Sequence, residues 1–372
     1  MTKAAELAKM GEVLTNGQIG GRRNIVINGA MQVAQRGTSF DYVTTDAYSL
    51  DRFNIDVTGG DNSAGRLTAS QAAITDLPGF ANALKFDCTT ADTSIAAGEA
   101  LILSQRFEGQ DVQQLKKGTS SAEKFTVSFY VKGTAKTYAL EVLDIDTTNN
   151  RSIAQTFGVT TSWNRVVLTF DGDTTGVLDD DNARSLDLNF FLHAGATYTG
   201  GTLDTAWGAM TNANRAVGIG SFYSSTDNEF FITGLQMEVG SQATPFEHRS
   251  FGEELALCQR YTYIIKQSNG QFTSINRFGM GITVNTTQVQ LLLQHPVAMR
   301  AAPTLTTSGT ASDYNMYSGA YNVASSVVPA LADGSQYNSR INFVAGSGLT
   351  AGQGAQGTAA NTDAFLLLTS EL

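Results

Sequence analysis

The residues of this 372-residue chain whose types could do chemistry are three histidines, two cysteines and several loop carboxylates. His193, His248 and His295 stand in no H-E-x-x-H arrangement, and Cys88 and Cys258 form no C-x-x-C pair, so spacing gives a zinc site no support. His193, next to Ala-Gly at the end of an apolar run, reads as a loop residue rather than a ligand. Neither a G-x-S-x-G elbow nor a G-x-x-x-x-G-K-[ST] phosphate loop occurs, and Gly218–Gly220 lacks the third glycine and following helix of a dinucleotide site. Glycoside hydrolysis needs two facing carboxyls about 5–9.5 Å apart, one of them with a raised pKa in a dry pocket. Asp179, Asp180 and Asp181 are instead consecutive in a polar loop, the ordinary pattern of solvated charge. With Asp171 and Asp173 they would suit calcium better than acid catalysis, although the D-x-[DN]-x-[DN]-G spacing and closing Glu are missing. The expectation is no catalytic residue, no metal ligand and no cofactor, with calcium as the one ion these loops would favour.

Aromatic residues are the remaining handle for a ligand. Tyr198, Asp204 and Trp207 lie in YTGGTLDTAW, a loop rich in glycine and threonine. Aromatic rings on loops over a rigid scaffold stack on sugars while nearby Asp or Asn side chains bond the hydroxyls, so these three form the candidate glycan site. The alternative for Trp207 is that it caps the end of the sandwich. Trp163, at the entry of an alternating segment, reads as core or rim packing.

Elements must hold these loops. The chain is long enough for two or three domains and for a core without staples. Hydrophobic residues make up 42%, glycine occurs 37 times and proline 5 times, which excludes general disorder. A net charge of −10 disfavours nucleic acid as a partner. Two cysteines exclude a disulfide framework and leave either two buried thiols or one bridge. No run approaches the roughly 20 apolar residues of a membrane span, and the opening MTKAAELAKMGEVLTNG lacks the apolar core of a secretory signal. A soluble protein that does not leave the cell by that route is expected.

Residues 1–23 predict a short amphipathic helix and a loop, with Leu7, Met10 and Leu14 as candidate particle-attachment residues; a frayed terminus is the plain alternative. From residue 24 the pattern is short strands between turn residues. Phe125, Val127, Phe129 and Val131 alternate with Thr126, Ser128 and Tyr130, and Leu186, Leu188, Phe190 and Leu192 repeat the pattern. Further strands are expected over Ile25–Ile27, Ala83–Phe86, Ala100–Phe107, Tyr138–Ile145, Arg165–Phe170, Val217–Phe222 and Phe230–Val239. The inward parity changes at Gly234, from Phe230 and Ile232 to Leu235, Met237 and Val239, as a β-bulge would require. Such spacing predicts a mainly β protein: an antiparallel sandwich over 24–246, then one or two helical turns around Leu255, Cys258 and Tyr261, and a smaller β-rich domain over 247–372. There, Ala345–Leu349 and Ala351–Gly357 read as glycine-rich loops and DAFLLLTSEL as a strand.

The ordered segments NIVINGAMQVAQRGTS, Asp51-Arg52-Phe53, KFTVSFYVKG, SWNRVVLTF and FFITGLQMEVG resemble a jelly-roll domain of the carbohydrate-binding-module type. Many such modules place an aspartate pair before the final Leu-x-Glu-like segment to bind calcium; Thr233 and Gly234 stand there instead. GRRNIVINGAMQVAQRGTS together with ATPFEHRSFGEELALCQRY resembles tail-fibre and virion structural proteins of bacteriophages. That resemblance covers roughly residues 1–265 and implies a non-enzymatic virion component, a homotrimer when fibrous, partnered by other virion proteins and host surface polysaccharide, with no membrane insertion. Its place would be the virion, after assembly in the host cytoplasm. A capsid decoration or head-fibre protein and a polysaccharide depolymerase are the alternatives.

Overall fold

The computed structural model describes residues 3, 22–42, 47–59, 66–266, 277–319 and 321–372. Leu7, Met10 and Leu14 lie outside them, as does the predicted N-terminal helix. The chain divides into two compact units, Met1–Phe251 with Leu372, and Gly252–Glu371.

In the first unit two antiparallel sheets form a jelly-roll sandwich. One runs, in spatial order, Ser39–Tyr42, Arg66–Ala73, Asn82–Thr90, Glu229–Val239, Phe125–Gly133 and Asn164–Phe170. The other runs Gly208–Ala209, Arg151–Val159, Lys136–Asp144, Arg184–Ala194, Ala100–Glu108, Asn54–Thr58 and Ala47–Tyr48. The alternating residues predicted to face inward do so: Phe125, Val127, Phe129, Val131, Leu186, Leu188, Phe190 and Leu192 are all buried. At the centre Phe129 meets Phe157 and Phe190 edge-on, with centroids 5.1 and 5.2 Å away. Thr126 and Ser128, expected to face solvent, are buried as well. The chain after Val239 covers them, since the Thr126 hydroxyl donates to the Gly240 carbonyl at 2.8 Å and Arg165 bonds both the Ser128 hydroxyl and the Thr244 carbonyl.

The bulge at Gly234 sits where parity predicted it. Register shifts between Thr233 and Gln236, and Gly234 has φ of +62°. Its displacement leaves Leu235 without a ladder partner on the Asn82–Thr90 side, and residues 24–29 take that place. Leu235 N–H donates to the Gly29 carbonyl at 2.9 Å, Ile25 N–H donates to the Met237 carbonyl at 2.9 Å, and the Asn24 side chain bonds the backbone at both Leu235 and Met237. The opening segment at Asn24 is therefore a latch on the bulged strand, while the Asn28 side chain bonds Val33 and Asp51, and Ile25–Ile27 is bonded but not a regular strand, correcting that expectation. An L-residue at 234 would adopt a left-handed backbone and drive its Cβ to 2.8 Å from Phe80 and 2.9 Å from Tyr130. We expect Gly234→Ala to cost about 2–3 kcal/mol, read as a lower urea midpoint at unchanged slope.

Val217–Phe222 is likewise no strand. Gly218 has φ of +86°, and the segment turns into a 3-10 helix over Phe222–Ser224, its start capped by the Ser221 hydroxyl accepting from Tyr223 N–H. Cys88 and Cys258 are both buried and are not bridged to each other.

The second unit opens with an α-helix over Phe251–Gln259, as the spacing of Leu255 and Cys258 predicts. A three-stranded sheet orders Thr262–Lys266, Phe365–Thr369 and Thr304–Thr307, placing the predicted DAFLLLTSEL strand at its centre. A seven-stranded sheet orders Tyr321–Ala324, Tyr314–Ser318, Gly354–Ala359, Arg277–Thr283, Gln288–Gln294, Asn338–Val344 and Ala330–Gly334. Gly354–Ala359 falls in the segment expected to be a loop. Its Gly357 is a packing residue, because a Cβ there would lie 2.5 Å from Leu291 and 2.9 Å from Phe343. No helix among the described residues is long and apolar enough to cross a membrane.

Candidate functional site

On the outer face of the six-stranded sheet three strands place side chains in one row. Register sets Phe231 opposite Lys85 on one side and Lys132 on the other. The two ammonium groups sit 5.2 and 4.9 Å from the Phe231 ring centroid. Lys85 is also paired at 2.7 Å to both Asp87 and Glu229. Beyond Lys132, the turn between Arg151–Val159 and Asn164–Phe170 projects Trp163 against this row, its ring edge-on to Phe231 at 6.2 Å and 5.1 Å from the Lys132 ammonium. Asp76, from the loop between Arg66–Ala73 and Asn82–Thr90, ties the group together: it accepts from the Trp163 indole N–H at 2.9 Å and from Lys132.

Asp76, Lys132, Trp163, Glu229 and Phe231 line an open cleft of about 730 Å³ together with Thr134, Thr161 and Ser162. Trp163 and Phe231 are half-buried and Glu229 is exposed, so the cleft combines aromatic surface with polar groups reachable from solvent. Electrostatics keep its carboxylates ionised. Hydrogen bonds from Lys132 and then Trp163 hold the Asp76 carboxyl below the usual carboxylate range, and Lys85 does the same for Glu229. For Lys85, burial pushes downward but Asp87 and Glu229 outweigh it, and its pKa rises. A carboxylate with a depressed pKa keeps its folded interactions above the unfolded value of about 4 and loses them only as pH falls through the lower folded one. The Trp163 indole N–H resonance should therefore hold its position from pH 7 through pH 4 and move only below; movement centred at pH 4 or higher would contradict the network.

Trp163 was legible only as packing, and nothing in its neighbouring residues signals Asp76 or Phe231. The residues singled out for a glycan site are placed otherwise. Tyr198 packs on Phe191, 6.0 Å between centroids, and under the Arg215 guanidinium at 5.8 Å. Asp204 accepts from the Asn214 side chain at 3.0 Å. Trp207 rests against the main core, its indole N–H donating to the Asp171 carbonyl at 2.6 Å. The loop that carries Tyr198 packs onto the outer face of the first unit's sheet at Lys136–Asp144, Arg184–Ala194 and Ala100–Glu108, fastened where Arg215 grips Glu141 with two bonds of 2.7 Å.

Two of the five loop aspartates weighed for calcium, Asp171 and Asp173, are engaged by cations of the protein. Asp171 pairs with Lys124, and Asp173 receives two bonds from Arg151, at 2.7 and 3.0 Å. Burial raises the Asp173 carboxyl, but Arg151 outweighs it and the pKa falls. Among the described residues, three candidate metal ligands converge elsewhere, at Asp92, Glu99 and His193.

No protein-family model matches this chain, and no curated protein matches it. Similar solved structures include the enzymatically active domain of tailspike protein 4 of bacteriophage CBA120, at 12% identity and TM-score 0.30 over 58% of this chain. The match spans about a fifth of that chain (21%). A family 61 carbohydrate-binding module in complex with β-1,4-galactotriose matches at 12% identity and TM-score 0.29, over 59% of this chain and 100% of its own. A family 11 module from Clostridium thermocellum matches at 11% identity and TM-score 0.29, over 57% of this chain and 98% of its own. The first unit's own strand order makes it an antiparallel sandwich of two sheets.

Proposed function

We propose that this chain is a non-enzymatic, glycan-binding component of a bacteriophage virion, a tail-fibre or receptor-binding subunit that attaches to host surface polysaccharide. The observation that carries the binding reading is the open cleft in which Trp163 and Phe231 stand beside Asp76, Lys132 and Glu229. Sugars are recognised by an aromatic ring against their C–H face and by planar polar groups on their hydroxyls, and this cleft offers both. Its charges also select a class. One lining lysine, Lys132, stands beside two lining carboxylates, Asp76 and Glu229, so no surplus positive charge awaits an acidic polymer, and a neutral hexose chain fits better. Hydrogen bonds hold the Asp76 and Glu229 carboxyls below the usual carboxylate range, which supports binding over acid-catalysed hydrolysis in this cleft. The virion assignment and the homotrimer rest on the ordered motifs at residues 21–39 and 243–261.

The test is the purified full chain on an array of neutral and acidic surface polysaccharides, with the supernatant assayed for released oligosaccharides. Retention on neutral polymers without release is expected. Release of oligosaccharides would make the protein a depolymerase, and absence of any glycan binding would remove the cleft reading. Labelled antibody on phage particles should decorate the tail; labelling of heads would make it a head fibre or decoration protein.

A further inference from the structure

At one end of the sandwich, unused by the cleft, four polar groups meet in the interior. Asp92 follows the strand Asn82–Thr90, Glu99 precedes Ala100–Glu108, and His193 ends Arg184–Ala194. They are 8%, 5% and 1% exposed, and their ligand atoms all lie within 4.8 Å of one another. Asp92 Oδ2, Glu99 Oε2 and His193 Nε2 have no hydrogen-bond partner, and His193 Nε2 stands 3.6 Å from Glu99 Oε2. Tyr223, packed on the imidazole at 5.1 Å between centroids, contributes a fourth buried atom without a partner, its hydroxyl. The other ring nitrogen, Nδ1, is 2.8 Å from the Ser221 hydroxyl. With Nδ1–H donating there, Nε2 presents a lone pair to two carboxylates. Acceptors facing acceptors in a dry interior are costly unless a shared proton or a cation joins them.

We propose that Asp92, Glu99 and His193 form a divalent transition-metal site of the zinc class, with Tyr223 or a water in the fourth position. One imidazole and two carboxylates are a borderline donor set that suits Zn²⁺, whereas Ca²⁺ takes six to eight oxygens. Ligand atoms around a tetrahedral zinc stand about 3.3 Å apart, so the 3.6 Å gap between His193 and Glu99 is nearly closed already. Ser221 supplies the partner on the far side of the ring that metal-bound histidines ordinarily have. The ion would clasp the 91–99 loop to the end of the Arg184–Ala194 strand, a structural role separate from glycan binding.

The test uses tag-free full-length protein, stripped with chelator and titrated with zinc alone by calorimetry at pH 7.5, with calcium titrated in parallel. One zinc per chain at micromolar Kd or tighter is expected. Zinc at about a hundred times Kd should raise the melting temperature of the first unit by roughly 5–10 °C. Glu99→Gln and His193→Ala should each weaken zinc binding at least tenfold; Glu99→Gln keeps the side chain's size, so its circular dichroism should match the wild type. Absence of stoichiometric zinc binding to the wild type would overturn the site and leave a proton shared between Asp92 and Glu99. Zinc binding unchanged in both variants, or a preference for calcium, would overturn it too.

Discussion

Phe129→Ala should lower the stability of the first unit by about 3–5 kcal/mol, among the largest effects any single substitution here would produce. Phe129 is fully buried and stands where both sheets meet, edge-on to Phe157 and Phe190. Truncation removes the ring's transfer free energy and leaves a cavity whose walls are strands fixed by their ladders on both sides, so the site collapses poorly. At roughly 2–4 °C per kcal/mol for a unit of this size, the first melting transition should fall by about 10 °C or more. Phe129→Leu should lose less than half as much. Calorimetry of the two variants decides the matter: a fall below about 1 kcal/mol for Phe129→Ala would mean that the two layers do not share a tightly packed interior.

Trp163→Ala should weaken binding to a neutral polysaccharide at least tenfold while moving the melting temperature by no more than about 2 °C. A solvent-facing aromatic anchor at a binding site is worth about 2 kcal/mol or more, and at 1.4 kcal/mol per decade that is tenfold or greater. Trp163 lies outside the sandwich core, and its indole hydrogen bond to Asp76 is solvent-exposed, so folding loses little. Trp207→Ala provides the contrast. Trp207 packs on the core and its indole N–H is bound to the Asp171 carbonyl, so this variant should melt lower with its glycan affinity retained. The opposite pattern, affinity lost at Trp207 and kept at Trp163, would move the site to the Tyr198–Trp207 loop.

Much of the scaffold follows from local sequence because period-2 alternation reports directly on which face of a strand is dry. KFTVSFYV and LDLNFFL therefore predict their own burial, and the change of parity at Gly234 marks its bulge. Where that logic fails, glycine or a covering segment is responsible. Gly357 lies in a strand but shows no apolar signature, since the space its side chain would fill is taken by Leu291 and Phe343. Thr126 and Ser128 look solvated along the chain, yet a segment more than a hundred residues later covers them.

The sites divide along the same line. By itself the sequence determined a mainly β, antiparallel scaffold free of any catalytic motif, because strand periodicity and motif spacing are local properties. Only the tertiary structure decided which polar groups share a volume. Lys132 and Phe231 come together through lateral strand register, with Asp76 and Trp163 brought to them by neighbouring turns, and Asp92, Glu99 and His193 through the meeting of strand ends at one end of the sandwich. Neither kind of proximity leaves a trace in residue spacing, because antiparallel pairing sets neighbours by register across the sheet rather than by distance along the chain.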